Sequence, residues 1–291
     1  AGLEAVGKGI LGGPMLVGLV LAVLASFEAA AVMVRNAGRF GAALAAAERL
    51  AAIASTAPAV AEPATPQSLP PGSDLTFSAV SFSHRPERPL LRGLTLHCPA
   101  GSRVAIVGES GCGKSTLLDL ALRLADPAEG LVRVAGADVS SVAQADLHAR
   151  VALMSQTTPV FLGTVGDNLR LGRPDADDAA LWRALDQARL RSFVEGLPDG
   201  LHTWCGEGGR TLSAGQARRI CLARTLLSPA AILLLDEPTS GLDQETERAF
   251  LHDLACATAG RTVVLVTHAA LPPGTADRVF RLTNGRLERI G

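Results

Sequence analysis

From residue 10 to residue 27 the chain reads Ile-Leu-Gly-Gly-Pro-Met-Leu-Val-Gly-Leu-Val-Leu-Ala-Val-Leu-Ala-Ser-Phe, without one charge. A helix of about 20 apolar residues spans a bilayer core, so this run is read as one membrane helix. The helical pattern then continues through Glu28 to Ala54, an alanine-rich stretch with Arg35, Arg39, Glu48 and Arg49. Arginines that come after an apolar run set that end in the cytoplasm, which makes the continuation a stalk. A secretory signal would show a cleavage site and then a mature domain; here the pattern runs on unbroken. An amphipathic helix packed on a soluble domain is the remaining alternative.

The texture changes twice more. Residues 57–74 carry Pro58, Pro63, Pro66, Pro70 and Pro71 among alanines. Proline cannot sustain a helix, so an extended linker is expected. From Leu75 onward, short apolar or alternating runs predict strands at 75–82, 90–98, 103–107, 131–134, 151–154, 231–235 and 262–267. Helical spacing predicts helices near 164–171, 177–188, 213–227 and 246–258. Asn284-Gly285 marks a final hairpin turn. Strands alternating with helices argue an α/β fold around a mainly parallel sheet. The expected organisation is therefore a partial transmembrane region with stalk at 1–56, a linker at 57–74 and one domain at 75–291.

Composition narrows the partners. Hydrophobic residues make up 48 % and mean hydropathy is +0.27, high for a purely soluble domain. Net charge is −1, so no basic field invites nucleic acid, and none is expected as a partner. The five cysteines show neither a C-x-x-C pair nor metal spacing and read as reduced thiols of a cytosolic compartment.

Among 27 basic residues only Lys8 and Lys114 are lysines. Lys114 closes the run Gly108-Glu109-Ser110-Gly111-Cys112-Gly113-Lys114-Ser115-Thr116. The spacing G-x-x-x-x-G-K-S is that of a phosphate-binding loop. Its glycines let backbone N–H groups turn onto phosphates at a helix N-terminus. Lys114 is expected to reach the β- and γ-phosphates, and the Ser115 hydroxyl to sit on Mg²⁺. A strand before it and a helical face of Leu117, Leu118, Leu120 and Ala121 after it supply the right context. Cys112 reads as a filler of a variable loop position. A second element, Ala231-Ile232-Leu233-Leu234-Leu235-Asp236-Glu237, is a buried strand ending in two carboxylates. Asp236 is expected to hold Mg²⁺ and Glu237 to polarise an attacking water.

A third element, Leu212-Ser213-Ala214-Gly215-Gln216, opens a helix 20 residues before Asp236. With it the chain resembles the ATP-binding cassette of ABC transporters over about residues 75–291, and its N-terminal part resembles the last membrane helix of an exporter half-transporter. The resemblance implies a P-loop NTPase with a mainly parallel core sheet, an antiparallel β subdomain and an α-helical signature subdomain. It implies ATP and Mg²⁺ as cofactors, and a second half-transporter as partner. Gln156 corresponds to the glutamine that senses Mg²⁺ and contacts the membrane domain. His268 corresponds to the switch histidine that holds the γ-phosphate and the attacking water. Ser213, Ala214, Gly215 and Gln216, together with Asp243 in Ser240-Gly241-Leu242-Asp243, correspond to residues facing the ATP of the partner. Ala214 departs from the usual glycine. His84 stands where the adenine-stacking aromatic, usually Tyr, is found; the chain has no Tyr, so modest ATP affinity is expected, with Phe82 or the partner helping. The loop Gly206-Glu207-Gly208-Gly209-Arg210 resembles the one by which exporters couple to membrane helices.

The segment from Thr203 to Ser213, with Arg218-Arg219, Ser26-Phe27-Glu28-Ala29 and the run from Asp243 to Arg248, is similar to the C-type subunit of bacterial thiol-reductant exporters. That resemblance implies a heterodimer with a D-type subunit in the bacterial inner membrane, the cassette on the cytoplasmic side and the apolar helix surrounded by membrane lipid. It implies cargo such as glutathione or cysteine, with haem as a further ligand, in support of cytochrome bd assembly. A half-transporter of this family has six helices before its cassette and this chain has room for one, so it is expected to be part of a longer one. A lipid, drug or peptide exporter half, a soluble ABC ATPase and a non-hydrolysing regulatory half are the alternatives.

Overall fold

The computed structural model describes the chain except residues 1–3, 5, 6, 10, 11, 86, 158, 207–211, 241–243, 269 and 270, and describes no side chain for 29, 34–38, 244–246 and 255. The expected start of the apolar run at Ile10, the loop 207–210 and Asp243 thus lie wholly or partly outside the described residues. The chain divides into two units, Ala1–Pro58 and Ala59–Gly291.

The first unit is dominated by one helix, α1, Gly13–Ser55. Pro14 in its first turn removes a donor that no helical carbonyl would have met. No residue after it breaks the ladder, so predicted span and stalk form one rod of 43 residues. Gly13–Met33 has a mean hydropathy of 2.3 and none of its described residues is buried. By length and composition it can cross a bilayer. Ser26 donates to the Ala22 carbonyl at 2.8 Å, so its hydroxyl is satisfied within the helix.

The second unit is built on two sheets. β1 (Leu75–Phe82), β2 (Leu91–Cys98), β4 (Glu129–Val134) and β5 (Ala137–Asp138) form an antiparallel sheet in the order β2-β1-β4-β5. β3 (Arg103–Val107), β6 (Val151–Met154), β7 (Ile232–Asp236), β8 (Thr262–Thr267), β9 (Arg278–Thr283) and β10 (Arg286–Arg289) form the other, in the order β10-β9-β3-β8-β7-β6. All pairs in it are parallel except β9–β10. That hairpin turns on Asn284 at φ +53° and Gly285 at φ +75°, as an Asn-Gly type I′ turn requires.

The central strands have no polar face. On β7, Leu233 and Leu235 enter one core while Ile232 and Leu234 enter the other; on β8, Val263 and Leu265 part from Val264 and Val266 in the same way. Burial on both faces is why these strands read as continuous apolar runs rather than alternating ones. One core is shared with α2 (Lys114–Ala121). The other is shared with α4 (Val165–Arg170), α5 (Asp178–Gln187), α7 (Ala214–Leu227) and α8 (Gln244–Ala257). Two short helices, α3 (Gln144–Arg150) and α6 (Arg191–Glu195), were not expected from the sequence.

Residues 59–74 are extended, as their prolines require, but they do not hang free. Ala61 accepts from Arg123 at 2.9 Å, Gln67 donates to Ser141 at 2.8 Å, and Gly72 accepts from Arg150 at 2.6 Å. None of the five cysteines is joined to another in a disulfide. Burial pushes the Cys98 thiol up to about 12, against the opposing pull of Arg278, so it is inert.

Candidate active site

Parallel pairing aligns four strand ends. Val107 pairs with Thr267, Asp236 with Val266, and Met154 with Leu235. The segments leaving β3, β6, β7 and β8 therefore emerge at one edge, the carboxyl edge where open α/β sheets bind ligands. They carry the loop 108–113, Gln156, Glu237 and His268 respectively.

The loop after β3 needs its glycines for two different reasons. Gly113 lies at φ +107° and caps α2, a backbone state closed to other residues. Gly108 is pressed against the chain: a Cβ there would lie 2.7 Å from the Leu282 carbonyl oxygen. Lys114 is only 7 % exposed, and its ammonium donates to the carbonyls of Gly108 and Glu109, both at 2.9 Å. A cavity of about 1410 Å³ runs along Gly108–Cys112 and is bounded by His268, Arg281 and Asn284. Lys114, Ser115, Asp236 and Glu237 do not line it, so the cavity borders the loop and does not contain the carboxylates.

Ser115 lies close enough to the Asp236 carboxylate to lower its pKa. Burial lifts the Asp236 carboxyl above the ordinary range. Ser115 opposes this, Glu237 adds to it, and Lys114 and Arg218 oppose it. Hydroxyl and carboxylate are hard oxygen donors suited to Mg²⁺. Among the described residues no three His, Cys, Asp or Glu side chains converge on a metal position. A divalent ion held here would take the rest of its shell from water or a ligand's oxygens.

Glu237 adopts φ +49°, a left-handed state that is strained for a glutamate. Its amide donates to Val266 at 2.8 Å. Its carboxylate accepts from the Nδ1–H of His268 at 2.7 Å, from the His268 amide at 3.4 Å and from the Thr267 hydroxyl at 3.5 Å. Glu237 is 8 % exposed and His268 is 67 % exposed, so the imidazole reaches from solvent onto a buried carboxylate.

His84 lies edge-on to Phe82 with ring centroids 5.0 Å apart, and its Nε2 is 3.5 Å from the Thr116 hydroxyl. The histidine, its aromatic neighbour and the first turn of α2 thus belong to one cluster. Asp119, one turn along α2, was not anticipated. Burial raises its carboxyl, nearby Asp236 raises it further and His84 lowers it.

Ser213 caps α7, where its hydroxyl accepts from the Gln216 amide at 3.3 Å and the Gln216 side chain accepts from the Ser213 amide at 2.8 Å. This capping box occupies the Gln216 side chain. Ser213 and Ala214 lie toward solvent at the helix start. Ala214 has no positive φ, so no glycine is demanded of the backbone there. Gln156 is exposed, and its carbonyl accepts from Arg218 on α7. Arg218 also donates to the carbonyls of Asp236, at 3.1 Å, and of Glu237.

A model of the ABC transporter family matches residues 91–240, more than half of the chain. The chain is 42 % identical over 221 residues to the mitochondrial potassium channel ATP-binding subunit of Xenopus tropicalis, covering 75 % of this chain and 32 % of that protein. It is 35 % identical over 281 residues to the glutathione/L-cysteine transport system ATP-binding/permease protein CydC of Escherichia coli, covering 96 % of this chain and 48 % of that one. Among solved structures, a bacterial Atm1-family ABC exporter with ATP bound matches at TM-score 0.76 and 36 % identity, over 83 % of this chain and 42 % of that one. The chain thus spans about half or less of the proteins it matches.

Proposed function

This chain belongs to the ABC transporter family, and from that premise we propose that it is the ATP-hydrolysing part of an exporter half-transporter. The observation that carries the reading is the convergence of Lys114, Ser115, Asp236, Glu237 and His268 at aligned strand ends. Residues 1–56 would belong to a membrane region, 57–74 would connect, and 75–291 would bind nucleotide.

Phosphoryl transfer to water needs positioning and charge neutralisation more than covalent help from the protein. Lys114 and the amides of residues 109–116 bind phosphate charge. Ser115, Asp236 and Gln156 would hold Mg²⁺, which would supply positive charge to neutralise phosphate oxygens. Glu237 accepts a proton from the attacking water, and His268 holds the Glu237 carboxylate through Nδ1 and presents Nε2 outward. His84 stacks on the base. Ser213, Ala214, Gly215, Gln216 and Asp243 face the nucleotide of a second half-transporter, so each complete site is shared by two chains. Closure on ATP and reopening after hydrolysis would move the stalk.

For the cargo, we favour a thiol reductant, with a D-type partner in a bacterial inner membrane, the cassette facing the cytoplasm, and haem as a further ligand. The support is extent: the likeness to CydC runs over 96 % of this chain and so includes most of α1, whereas the Xenopus match covers 75 %. A drug-exporting half is the second reading. It is favoured by 39 % identity over 84 % of this chain to a multidrug efflux ATP-binding/permease protein of Mycobacterium bovis. A soluble ABC ATPase fits poorly with the uncovered apolar span of α1.

The test is ATP hydrolysis by this chain alone and after assembly with a D-type subunit in nanodiscs. Activity that appears only on mixing, vanishes with Lys114→Ala and rises with glutathione or cysteine supports the proposal. Full activity alone removes the heterodimer, and stimulation by drugs but not thiols favours the second reading.

A further inference from the structure

Arg218 is the fifth residue of α7, one turn beyond the Ser213–Gln216 capping box. Its guanidinium is the meeting point of three backbone carbonyls from two strand ends: Gln156 after β6, and Asp236 and Glu237 at the end of β7. Only main-chain oxygens are gripped. The Asp236 carboxylate stays with Ser115 and the Glu237 carboxylate with His268.

Packing alone does not account for this arginine. Burial pulls its basicity below the usual value, it forms no ion pair among the described residues, and its buried Nε–H has no acceptor among them. A half-buried cation with an unmet donor carries a cost in stability that the three carbonyl contacts offset. Meanwhile α7 is a stiff connector. Its first turn is locked by the capping box, and from Ile220 to Leu227 it is buried in the core.

Resting on the proposed function, we propose that Arg218 is a positioning residue that transmits movement of the signature helix to the backbone carrying Gln156, Asp236 and Glu237. The N-terminus of α7 answers to the partner's nucleotide. Arg218, about 6–7 Å along the same rod, sets the strand ends that hold this chain's own water and Mg²⁺. One planar fork thereby links the two shared sites. A lysine cannot reproduce it, because an ammonium is a point charge with no fixed fork.

The experiment is ATP hydrolysis by the assembled transporter carrying R218M or R218K, read as kcat, KM for ATP, Hill coefficient and melting temperature. We expect R218M to lower kcat at least tenfold, to move KM less than twofold and to bring the Hill coefficient toward one, while R218K keeps the parent's melting temperature. R218K is expected to recover less than a third of kcat. Unchanged kcat overturns the proposal, as does a kcat loss that tracks a fall in melting temperature, and an intact Hill coefficient overturns the link between sites. Should R218M not fold, full recovery of kcat and Hill coefficient by R218K overturns it alone. An inactive parent transporter would instead remove the proposed function itself.

Discussion

Glu237 and Asp236 are neighbours in sequence but differ in what the fold does to them. Glu237 is bent into a left-handed state and clasped by His268. Asp236 is buried with a raised pKa. For a carboxyl raised on folding, its favourable contribution is present below the ordinary carboxylate range and is lost as pH climbs through the raised value. At neutral pH Asp236 is therefore a burden on the fold. Asp236→Asn is expected to abolish Mg²⁺-dependent hydrolysis yet raise the melting temperature at pH 7 without nucleotide. A gain on the order of 1 kcal/mol corresponds to about 2–4 °C in a domain of this size. The advantage should shrink as the pH is lowered, and a variant that melts below the parent at pH 7 would contradict it. If His84 stacks on the base as proposed, His84→Tyr adds stacking area. A gain of roughly 0.5–1.5 kcal/mol should lower KM for ATP about 2–10-fold, measured by initial rates.

At the level of elements, the strands that carry the site were readable because they are buried on both faces and end in recognisable residues. β3, β7 and β8 fall within one residue of their expected limits. The phosphate loop was readable because its glycines are needed for backbone reasons at Gly108 and Gly113. What stayed hidden are contacts whose acceptors are carbonyls, which every residue type possesses. Arg218 is one case. Another is buried Arg224, which donates to the Asn168 carbonyl and side chain, both at 2.9 Å, to the Pro159 carbonyl at 3.1 Å, and lies over the Phe161 ring at 5.2 Å. These bonds weld α4 and the 159–161 segment to α7. They leave so little room that a Cβ on Gly172 would sit 2.1 Å from the Arg224 carbonyl oxygen. Gly172→Ala is accordingly expected to destabilise by about 1–3 kcal/mol through overpacking. Chemical denaturation checks it, and a loss under about 0.5 kcal/mol would mean that α7 yields more easily than its contacts imply.

For the whole molecule, the proposed membrane attachment rests on the single rod α1, whose apolar length suffices for a span. The chain expressed in bacteria should sediment with membranes, resist extraction by alkaline carbonate and be released by detergent. Release by carbonate would reassign Gly13–Met33 as a surface helix. The register of the parallel sheet has a further consequence, for synthesis. β3, which launches the phosphate loop, is flanked by β8 and β9, and Val107 finds its partner at Thr267. Chains elongate at about 5–20 residues per second, so on a ribosome the loop waits on the order of ten to thirty seconds for its neighbours. Until then the lysine, the carboxylates and the histidine cannot share an edge. On the proposed function, a nascent chain, or one broken off early, would be unable to consume ATP before these strands have met.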